Sequence, residues 1–458
     1  MNQDPYQPQG SDLQLSVPVS GQIPGRPQQA QVVGAMYVGY AMFMVLRMVP
    51  AVAGTSITGD ASLDVGVGDW GRILAMGTIG AVVGKFIGGY AADRFGGRVT
   101  FSVGLLVSAV GVAAFAASSQ VWMFQAALFV ALMAKSAGWP SMAKIIVTTF
   151  RPAEYGRVWG VLATSSRVGT LLATFCLGGL LGVLSWQSML YLSAVGGVLL
   201  AFAFFVTIEM ATRRRGAVGP VLVAADESQT VKDAGVTPHP LDGLTLIQAV
   251  QVFVRSFQFW MICGSLMGLT IMWDFLLMVP QYLRDTLGMA ADDASMASSA
   301  FPFGSLISVL VGGFVFDKLN RRSTAWLMGA LLTVAAGCIL TFYLMPGFGL
   351  SQPSMKYLSL ALLFVFGLCV SPCYYIPMSV YSIEFGGPHS GFLISLLDAI
   401  GFGATALFYG LAGDLAEQSW GLFLKILLAV AAWSMLTTLL FMLGEARSDE
   451  KKSAVQAE

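Results

Sequence analysis

Six ionisable side chains lie inside long apolar stretches of this sequence. Four are cations in the first half of the chain and two are carboxylates in the second half: Arg47, Lys85, Lys135, Arg167, Asp274 and Asp398. A charge at bilayer depth is costly, so such residues usually face an interior cavity, where they pair with one another or bind a solute. Several cations around one cavity favour an anionic ligand, because an anion relieves their mutual repulsion.

Arg47 is the expected anchor for that anion. Tyr40 stands two turns earlier on the same helical face, and a guanidinium beside a phenol suits a planar or tetrahedral oxyanion. The alternative is that Arg47 pairs with Asp274 or Asp398 across the protein. Lys85 could instead extend towards the membrane surface, since it lies near the end of its apolar stretch. The two carboxylates could balance the cations or carry protons.

The elements that carry these charges are predicted to cross a membrane. The chain has 458 residues, of which 56% are hydrophobic and 11% are charged, whereas soluble proteins carry about 25% charged residues. A membrane span needs roughly 20 mostly apolar residues. Twelve stretches qualify: 32–53, 72–92, 99–118, 121–147, 156–184, 187–208, 256–283, 295–316, 323–345, 356–381, 390–413 and 420–443. The sequence therefore predicts an all-α membrane protein.

Polar segments divide the chain into parts. We expect a disordered tail at 1–30, a six-helix bundle at 31–208, a linker at 209–250, a second six-helix bundle at 251–443 and a tail at 444–458. Basic residues such as Arg151 and the Arg213 triplet collect on the even-numbered connections, which predicts that these connections and both termini are cytoplasmic. The N-terminal tail does not resemble a signal peptide, which favours a bacterial cytoplasmic (inner) membrane.

Several classes of protein are excluded by composition. The formal net charge is zero, so no nucleic-acid partner is expected. The five cysteines lie in apolar runs and the chain has two histidines, so we expect no metal site and no other cofactor. The chain lacks the phosphate-binding motif G-x-x-x-x-G-K-[ST] and cannot assemble a Ser-His-Asp set from these histidines. Enzyme chemistry is therefore not expected.

A loop motif occurs twice, after the second and the eighth apolar stretch. Both copies read G-x-x-x-D-[RK]-x-x-x-R, and they supply the candidate gate residues Gly89, Asp93, Arg94, Arg98, Gly313, Asp317, Lys318 and Arg322. The glycine would let two helices touch, and the aspartate would latch a neighbouring helix end. A short charged loop that only fixes topology is the plainer alternative. Two copies at equivalent positions favour a gate between parallel halves of a transporter.

From about residue 32 to residue 443 the chain resembles the major facilitator superfamily, of which this loop is the signature. The resemblance implies that superfamily's fold, in which two six-helix bundles surround a central cavity that opens alternately to either side. It also implies a monomer embedded in the lipid bilayer.

Within that superfamily the chain resembles the organophosphate:phosphate antiporter family, to which the glycerol-3-phosphate transporter belongs. The segment 39–47 is similar to that family's Tyr-rich first helix, which ends in a substrate-binding Arg, and 84–87 is similar to its Lys-containing second helix. Gly138-Trp139-Pro140 and 279–283 resemble parts of its fourth and seventh helices. The family's fifth-helix His-Asn pair falls at Ser166-Arg167, so the histidine is absent.

The family's seventh-helix substrate Arg falls at Met272, beside Trp273 and Asp274, so its pair of arginines is broken. Arg167 or Lys135 could replace the lost cation.

These features predict a secondary active transporter of a small organic anion, either a phosphate ester or a carboxylate such as a sugar acid. Coupling would be to phosphate exchange or to protons, with Asp274 or Asp398 as proton carriers. The predicted substrate-binding residues are Tyr40, Arg47, Lys85, Lys135, Arg167 and Trp273. Two alternatives stay open: a non-transporting membrane sensor of a sugar phosphate, and a proton-coupled drug exporter that uses the two acids.

Overall fold

The computed structural model describes residues 26–151, 154–213, 241, 243–316 and 318–457. In this part of the chain, twelve helices are long and apolar enough to cross a membrane. In chain order, α1 to α12 span Arg26–Thr58, Val67–Phe95, Gly97–Ala116, Val121–Thr149, Tyr155–Leu180, Trp186–Ala211, Phe257–Leu277, Ala291–Phe316, Arg321–Phe348, Gln352–Met378, Ser390–Gln418 and Trp420–Arg447. The predicted all-α membrane fold with twelve spans is confirmed.

Helices are the expected outcome for such apolar stretches, because lipid offers no hydrogen bonds and a helix satisfies its own backbone. Large apolar side chains such as Leu199, Leu407 and Leu411 are exposed on the outside of the bundle. We call α1–α6 the N-terminal half and α7–α12 the C-terminal half. The predicted tail at 1–30 and the linker at 209–250 lie largely outside the described residues, so the predicted division into domains stays a prediction.

Three helices that carry central charges are irregular near them. The regular helix of α4 stops after Lys135 and resumes at Gly138. In α7 the regular helix ends at Asp274, and a 3-10 turn follows over Phe275–Leu277. In α5 a π-helical turn covers Ala173–Leu177, and such turns are frequent at functional sites. These breaks place Lys135 and Asp274 at the ends of regular helical segments.

The two halves meet closely at one end of the bundle, which we call the closed end. It contains the start of α2 and the last turns of α11. A Cβ atom on Gly71 would lie 2.7 Å from the Cα atom of Gly413, so only glycine allows these two helices to approach so closely. One residue later, the Nη2 atom of Arg72 lies 2.8 Å from Oδ1 of Asp414. Close packing and an ion pair therefore join α2 to α11.

A short helix that follows α7, Val279–Leu287, closes the same end against α1. Gln281 donates a hydrogen bond from Nε2 to Oγ1 of Thr58 at 2.8 Å. Arg284 donates from Nη1 to the backbone carbonyl of Thr55. These contacts, with those between α2 and α11, separate the centre of the bundle from this end.

The opposite end carries the repeated loop motif, and we call it the motif end. The carboxylate of Asp93 lies 3.0 Å from Nζ of Lys144 in α4, and Arg98 pairs with Glu209 in α6. In the other half, Arg321 pairs with Glu445 at 3.3 Å. Each of these pairs joins helices of the same half, so they brace the halves individually.

The motif residues differ in part from their expected roles. Gly89, the predicted contact glycine, has open space where its Cβ would be, whereas a Cβ on Gly88 would lie 2.7 Å from the Cα atom of Ala137. The assignment of the contact to Gly89 was therefore wrong by one residue. Gly313 lies within α8, and Asp317 lies outside the described residues. The side chains of Arg94, Lys318 and Arg322 are exposed.

Candidate functional site

One ion pair in the middle of the bundle joins α1 of the N-terminal half to α7 of the C-terminal half. Nη2 of Arg47 lies 2.5 Å from Oδ1 of Asp274, and the two side chains are 10% and 2% exposed. Tyr409 of α11 donates a hydrogen bond to the backbone carbonyl of Asp274. The pairing alternative for Arg47 is therefore the arrangement that the structure shows.

A second ion pair in the middle of the bundle joins α2 to α11, at some distance along both helices from the pair at the closed end. Nζ of Lys85 contacts Oδ2 of Asp398, and the hydroxyl of Tyr374 donates to Oδ1 of the same carboxylate at 2.9 Å. Both Lys85 and Arg47 lie over the ring of Phe402, at 4.6 Å and 5.6 Å from its centroid. Lys85 thus points into the bundle, as expected of a site residue, and the alternative that it extends towards the membrane surface is not the arrangement seen. Both central carboxylates are held by cations of the other half.

Arg167 in α5 has no carboxylate partner among the described residues. Its side chain is 3% exposed, and Nη1 donates to the carbonyl of Ala163 at 2.9 Å and to Oγ of Ser166 at 2.7 Å. Its Nε and Nη2 atoms are buried without a described hydrogen-bond partner. These two atoms form one edge of the planar guanidinium, the edge that can bind a carboxylate or phosphate through two parallel hydrogen bonds. Cζ of Arg167 lies 4.1 Å from the ring centroid of Tyr375 and 5.5 Å from that of Trp273.

Lys135 is the second cation without a carboxylate partner in the described part of the chain. It lies at the break in α4 and lines a small pocket together with Arg47 and Phe402. The charges of both cross-half pairs act on it electrostatically. Because the two carboxylates offset only two of the four cations, the centre carries two positive formal charges in excess.

Aromatic rings surround these charges from both halves. Tyr40 is largely buried and packs on Trp139, with ring centroids 5.4 Å apart, and Trp139 packs on Trp159 at 4.5 Å. In the C-terminal half, Trp273 lies 6.0 Å from Tyr374 in a stacked arrangement. Tyr40 therefore packs in a row of aromatic rings, and no hydrogen bond between Tyr40 and Arg47 is seen among the described residues.

Sequence reasoning missed most of these rings, although a signal was present. Trp139 follows Lys135 by four residues, and Phe402 follows Asp398 by four, so each ring shares a helix face with a charge. The adjacent residues Tyr374 and Tyr375 could not be found in this way, because no charged residue stands near them in α10. In the described residues, no group of three or more His, Cys, Asp or Glu side chains is placed to hold a metal ion.

Comparisons with known proteins agree with this architecture. The family profile of the Major Facilitator Superfamily matches residues 34–291 and 261–458. A probable galactarate/D-glucarate transporter, GudP of Bacillus subtilis, is 22% identical over 334 residues, which are 67% of this chain and 70% of that protein. The membrane sensor protein UhpC of Escherichia coli is 24% identical over 321 residues, which are 68% and 70% of the two chains.

A solved structure shares the fold. The bacterial homolog of the human lysosomal transporter Spinster superposes with a TM-score of 0.65 at 16% identity, over 92% of this chain and 96% of that one. The family profile covers more than half of the chain, and the twelve membrane helices agree with it. The chain is an integral membrane protein, and it belongs to the Major Facilitator Superfamily, whose members carry small solutes and are not enzymes.

Proposed function

We propose that this protein is a secondary active transporter of a small organic anion that works by alternating access. The observation that carries the proposal is the buried guanidinium of Arg167, whose Nε–Nη2 edge has no described partner. A buried donor left unpaired is costly, so such an edge is expected to be filled by a ligand group during the working cycle. An organic carboxylate or phosphate ester has the geometry and the charge to fill it.

The charge balance of the centre supports the same ligand class. Asp274 and Asp398 are already engaged by Arg47 and Lys85, while Arg167 and Lys135 are not engaged by any carboxylate among the described residues. An anion near Lys135 and Arg167 would offset the excess positive charge. The names of the two relatives, a sugar-acid transporter and a membrane sensor, are compatible with an anionic ligand.

Alternating access would use the contacts between the halves. In the state described here the halves are joined at the closed end and at mid-depth. The opposite state requires Gly71 and Gly413 to separate and the motif end to close. A bound anion contacts cations of the N-terminal half and aromatic rings of the C-terminal half, so it can favour the states in which the halves come together.

Coupling would be to exchange for a second anion, such as phosphate, or to symport of protons through Asp274 or Asp398. Proteoliposomes loaded with phosphate distinguish the two. Exchange requires internal phosphate for uptake, whereas symport requires an inward proton gradient and is abolished by a protonophore.

A membrane sensor is the second candidate, because one of the relatives is a sensor. The same site would then bind an anion without moving it across the membrane. The test combines thermal stabilisation of the purified protein by benzoate, gluconate and glucose 6-phosphate with uptake of the same labelled compounds into proteoliposomes. Binding with uptake supports the transporter, and binding without uptake supports the sensor. A proton-coupled exporter of cationic drugs is disfavoured, because each central carboxylate is already paired with a cation of the protein.

A further inference from the structure

The rings around Arg167 belong to both halves and lie at mid-depth. Trp273 and Tyr375 of the C-terminal half lie beside the guanidinium, with their ring planes perpendicular and their centroids 6.2 Å apart. Tyr40 and Trp139 of the N-terminal half pack on each other, with ring centroids 5.4 Å apart. Tyr40 precedes Ala41, against whose carbonyl Gly169 of α5 packs directly. Aromatic rings of both halves therefore lie on Arg167 or on the helix beside it.

Three of these rings retain exposed surface although they lie beside the central charges. Trp273 and Tyr375 are half-buried, and so is Phe402 between Arg47 and Lys85. Because each ring contacts a central cation, its free surface faces the interior of the bundle rather than lipid. A ligand that reaches the charges must then contact these rings.

Groups that recognise sugar hydroxyls are scarce at the same depth. The whole chain has two asparagines, Asn2 and Asn320, and both lie outside the membrane spans. The glutamine that follows the break in α7, Gln281, is engaged with Thr58 at the closed end. A polar ligand group buried without a partner is costly, so a site of this composition discriminates against a ligand with a hydroxyl on nearly every carbon.

Hydroxyl side chains near the charges are also occupied. Ser166 donates to the carbonyl of Ala163 and accepts from Arg167. Thr270 and Thr78 donate to backbone carbonyls of their own helices, at 2.6 Å and 2.8 Å. The phenols of Tyr40 and Tyr375, the ammonium of Lys135 and the unpaired Oδ2 atom of Asp274 could serve some ligand oxygens. These four groups are fewer than the hydroxyls of a polyol such as gluconate.

We infer that the substrate is an aromatic carboxylate, bound with its carboxylate on the Nε–Nη2 edge of Arg167 and its ring against the aromatic walls. This inference rests on the proposed transport of organic anions and narrows it. The edge of the guanidinium binds the carboxylate in its own plane, and Trp273 and Tyr375 lie beside the guanidinium. The body of the bound acid therefore begins at the border of these two rings, where offset or edge-to-face stacking is favourable.

The test uses four probes of matched charge or size on the purified full-length protein. Benzoate and cyclohexanecarboxylate share a carboxylate and a six-membered ring but differ in aromaticity, while gluconate and glucose 6-phosphate carry hydroxyls on most carbons. Calorimetry should show benzoate binding about tenfold more tightly than cyclohexanecarboxylate, the factor expected for one good aromatic contact. Gluconate and glucose 6-phosphate should bind more weakly than benzoate.

Each outcome decides between the two proposals. If gluconate or glucose 6-phosphate binds as tightly as benzoate, or if benzoate and cyclohexanecarboxylate bind equally, the aromatic substrate is rejected and anion transport stands. If none of the four anions binds, the proposed function is rejected as well.

Substitutions of single rings test which residue causes the preference for benzoate over cyclohexanecarboxylate. Trp273→Leu should reduce the ratio between benzoate and cyclohexanecarboxylate to about one, because it removes an aromatic face. Trp433→Leu is the matched control, since Trp433 lies in α12 and is 55% exposed on the outside of the bundle. Tyr375→Leu serves if Trp273→Leu does not fold. An unchanged ratio in a folded variant contradicts the assigned position of the ring.

Discussion

Two buried arginines of the site differ in what surrounds their guanidinium groups. Arg47 contacts a carboxylate of the other half at 2.5 Å, whereas Arg167 is held by its own helix and by two rings. A paired arginine joins elements of the structure, while an arginine with an open edge is prepared for a ligand. The residue that we expect to bind the anion is therefore Arg167, and Arg47 positions α7 against α1.

Replacing Arg167 should abolish anion binding. Arg167→Gln removes the charge and the bidentate edge, and we expect affinity for a bound anion to fall about 30-fold or more, since removing one partner of a buried charge pair costs about 2–5 kcal/mol. Arg167→Lys keeps the charge but not the fork, so it should retain part of the affinity. Calorimetry on the purified variants measures both effects. Arg157→Gln is the control, because Arg157 lies in the same helix but is exposed; equal losses in both variants would refute the assignment.

The pair of Arg47 and Asp274 should behave as a coupled unit in stability measurements. Arg47→Met leaves Asp274 as an uncompensated buried charge, which we expect to cost about 3–5 kcal/mol. The double variant Arg47→Met/Asp274→Leu removes both charges and should recover most of that loss. Thermal unfolding of the purified proteins checks the cycle. Strictly additive losses would show that the two side chains do not form a functional pair.

At this scale the sequence located the central charges but not how they pair. All six intramembrane charges could be found from their apolar surroundings, and all six lie at the centre. Which cation meets which acid depends on how α1 packs against α7 and α2 against α11, and a linear pattern does not contain that information. Hence Arg47 was predicted to be the anchor, although Arg167 has the open edge.

At the scale of helices, close approach and local breaks determine where the halves can move. α2 and α11 touch through Gly71 and Gly413, and α4 and α7 change their helical geometry at the charged centre. The positions of the spans follow from hydropathy, and the predicted edges differ by a few residues from the observed ones. The breaks after Lys135 and Asp274 were not predicted, although Pro140 and Pro280 stand shortly after them.

An alanine at the contact between α2 and α11 should open the closed end. The added Cβ of Gly71→Ala would lie 2.7 Å from Gly413, and overpacking of this kind costs about 1–3 kcal/mol. We expect a cysteine introduced at Ala51, which is 3% exposed near Arg47, to react faster with an impermeant thiol reagent added at the closed end. Cys176, which is exposed, is replaced by serine in all variants.

Gly403→Ala is the matched control for this experiment. Gly403 lies in α11, and its Cβ would meet open space. Labelling at position 51 should then stay at the level of the parent protein. If Gly71→Ala also leaves the labelling unchanged, the contact does not hold the closed end together.

At the scale of the whole molecule, two matched sets of six helices carry unequal charges. The four central cations all lie in the N-terminal half and the two carboxylates in the C-terminal half. The two central ion pairs neutralise Asp274 and Asp398. The two cations that remain, Lys135 and Arg167, both lie in the N-terminal half. The halves are thus similar as a scaffold but complementary in charge.

The distribution of Lys and Arg predicts that the motif end, with both termini, faces the cytoplasm. Fusion of a fluorescent protein after residue 458 should fluoresce, since such reporters fold in the cytoplasm, and fusion of alkaline phosphatase at the same site should be inactive. A phosphatase inserted near Asp64, between α1 and α2, should be active. The reverse pattern would place the closed end in the cytoplasm and overturn the proposed orientation.

Uptake by the wild-type protein and by Arg167→Gln, reconstituted side by side, tests the central claim most directly. Proteoliposomes are given labelled benzoate, gluconate or glucose 6-phosphate, with protein-free liposomes as background. Our account predicts that at least one of these anions accumulates through the wild-type protein and that Arg167→Gln reduces this uptake to background, while Arg157→Gln does not. Absence of uptake of all three anions, or equal uptake by the wild-type protein and Arg167→Gln, would contradict it.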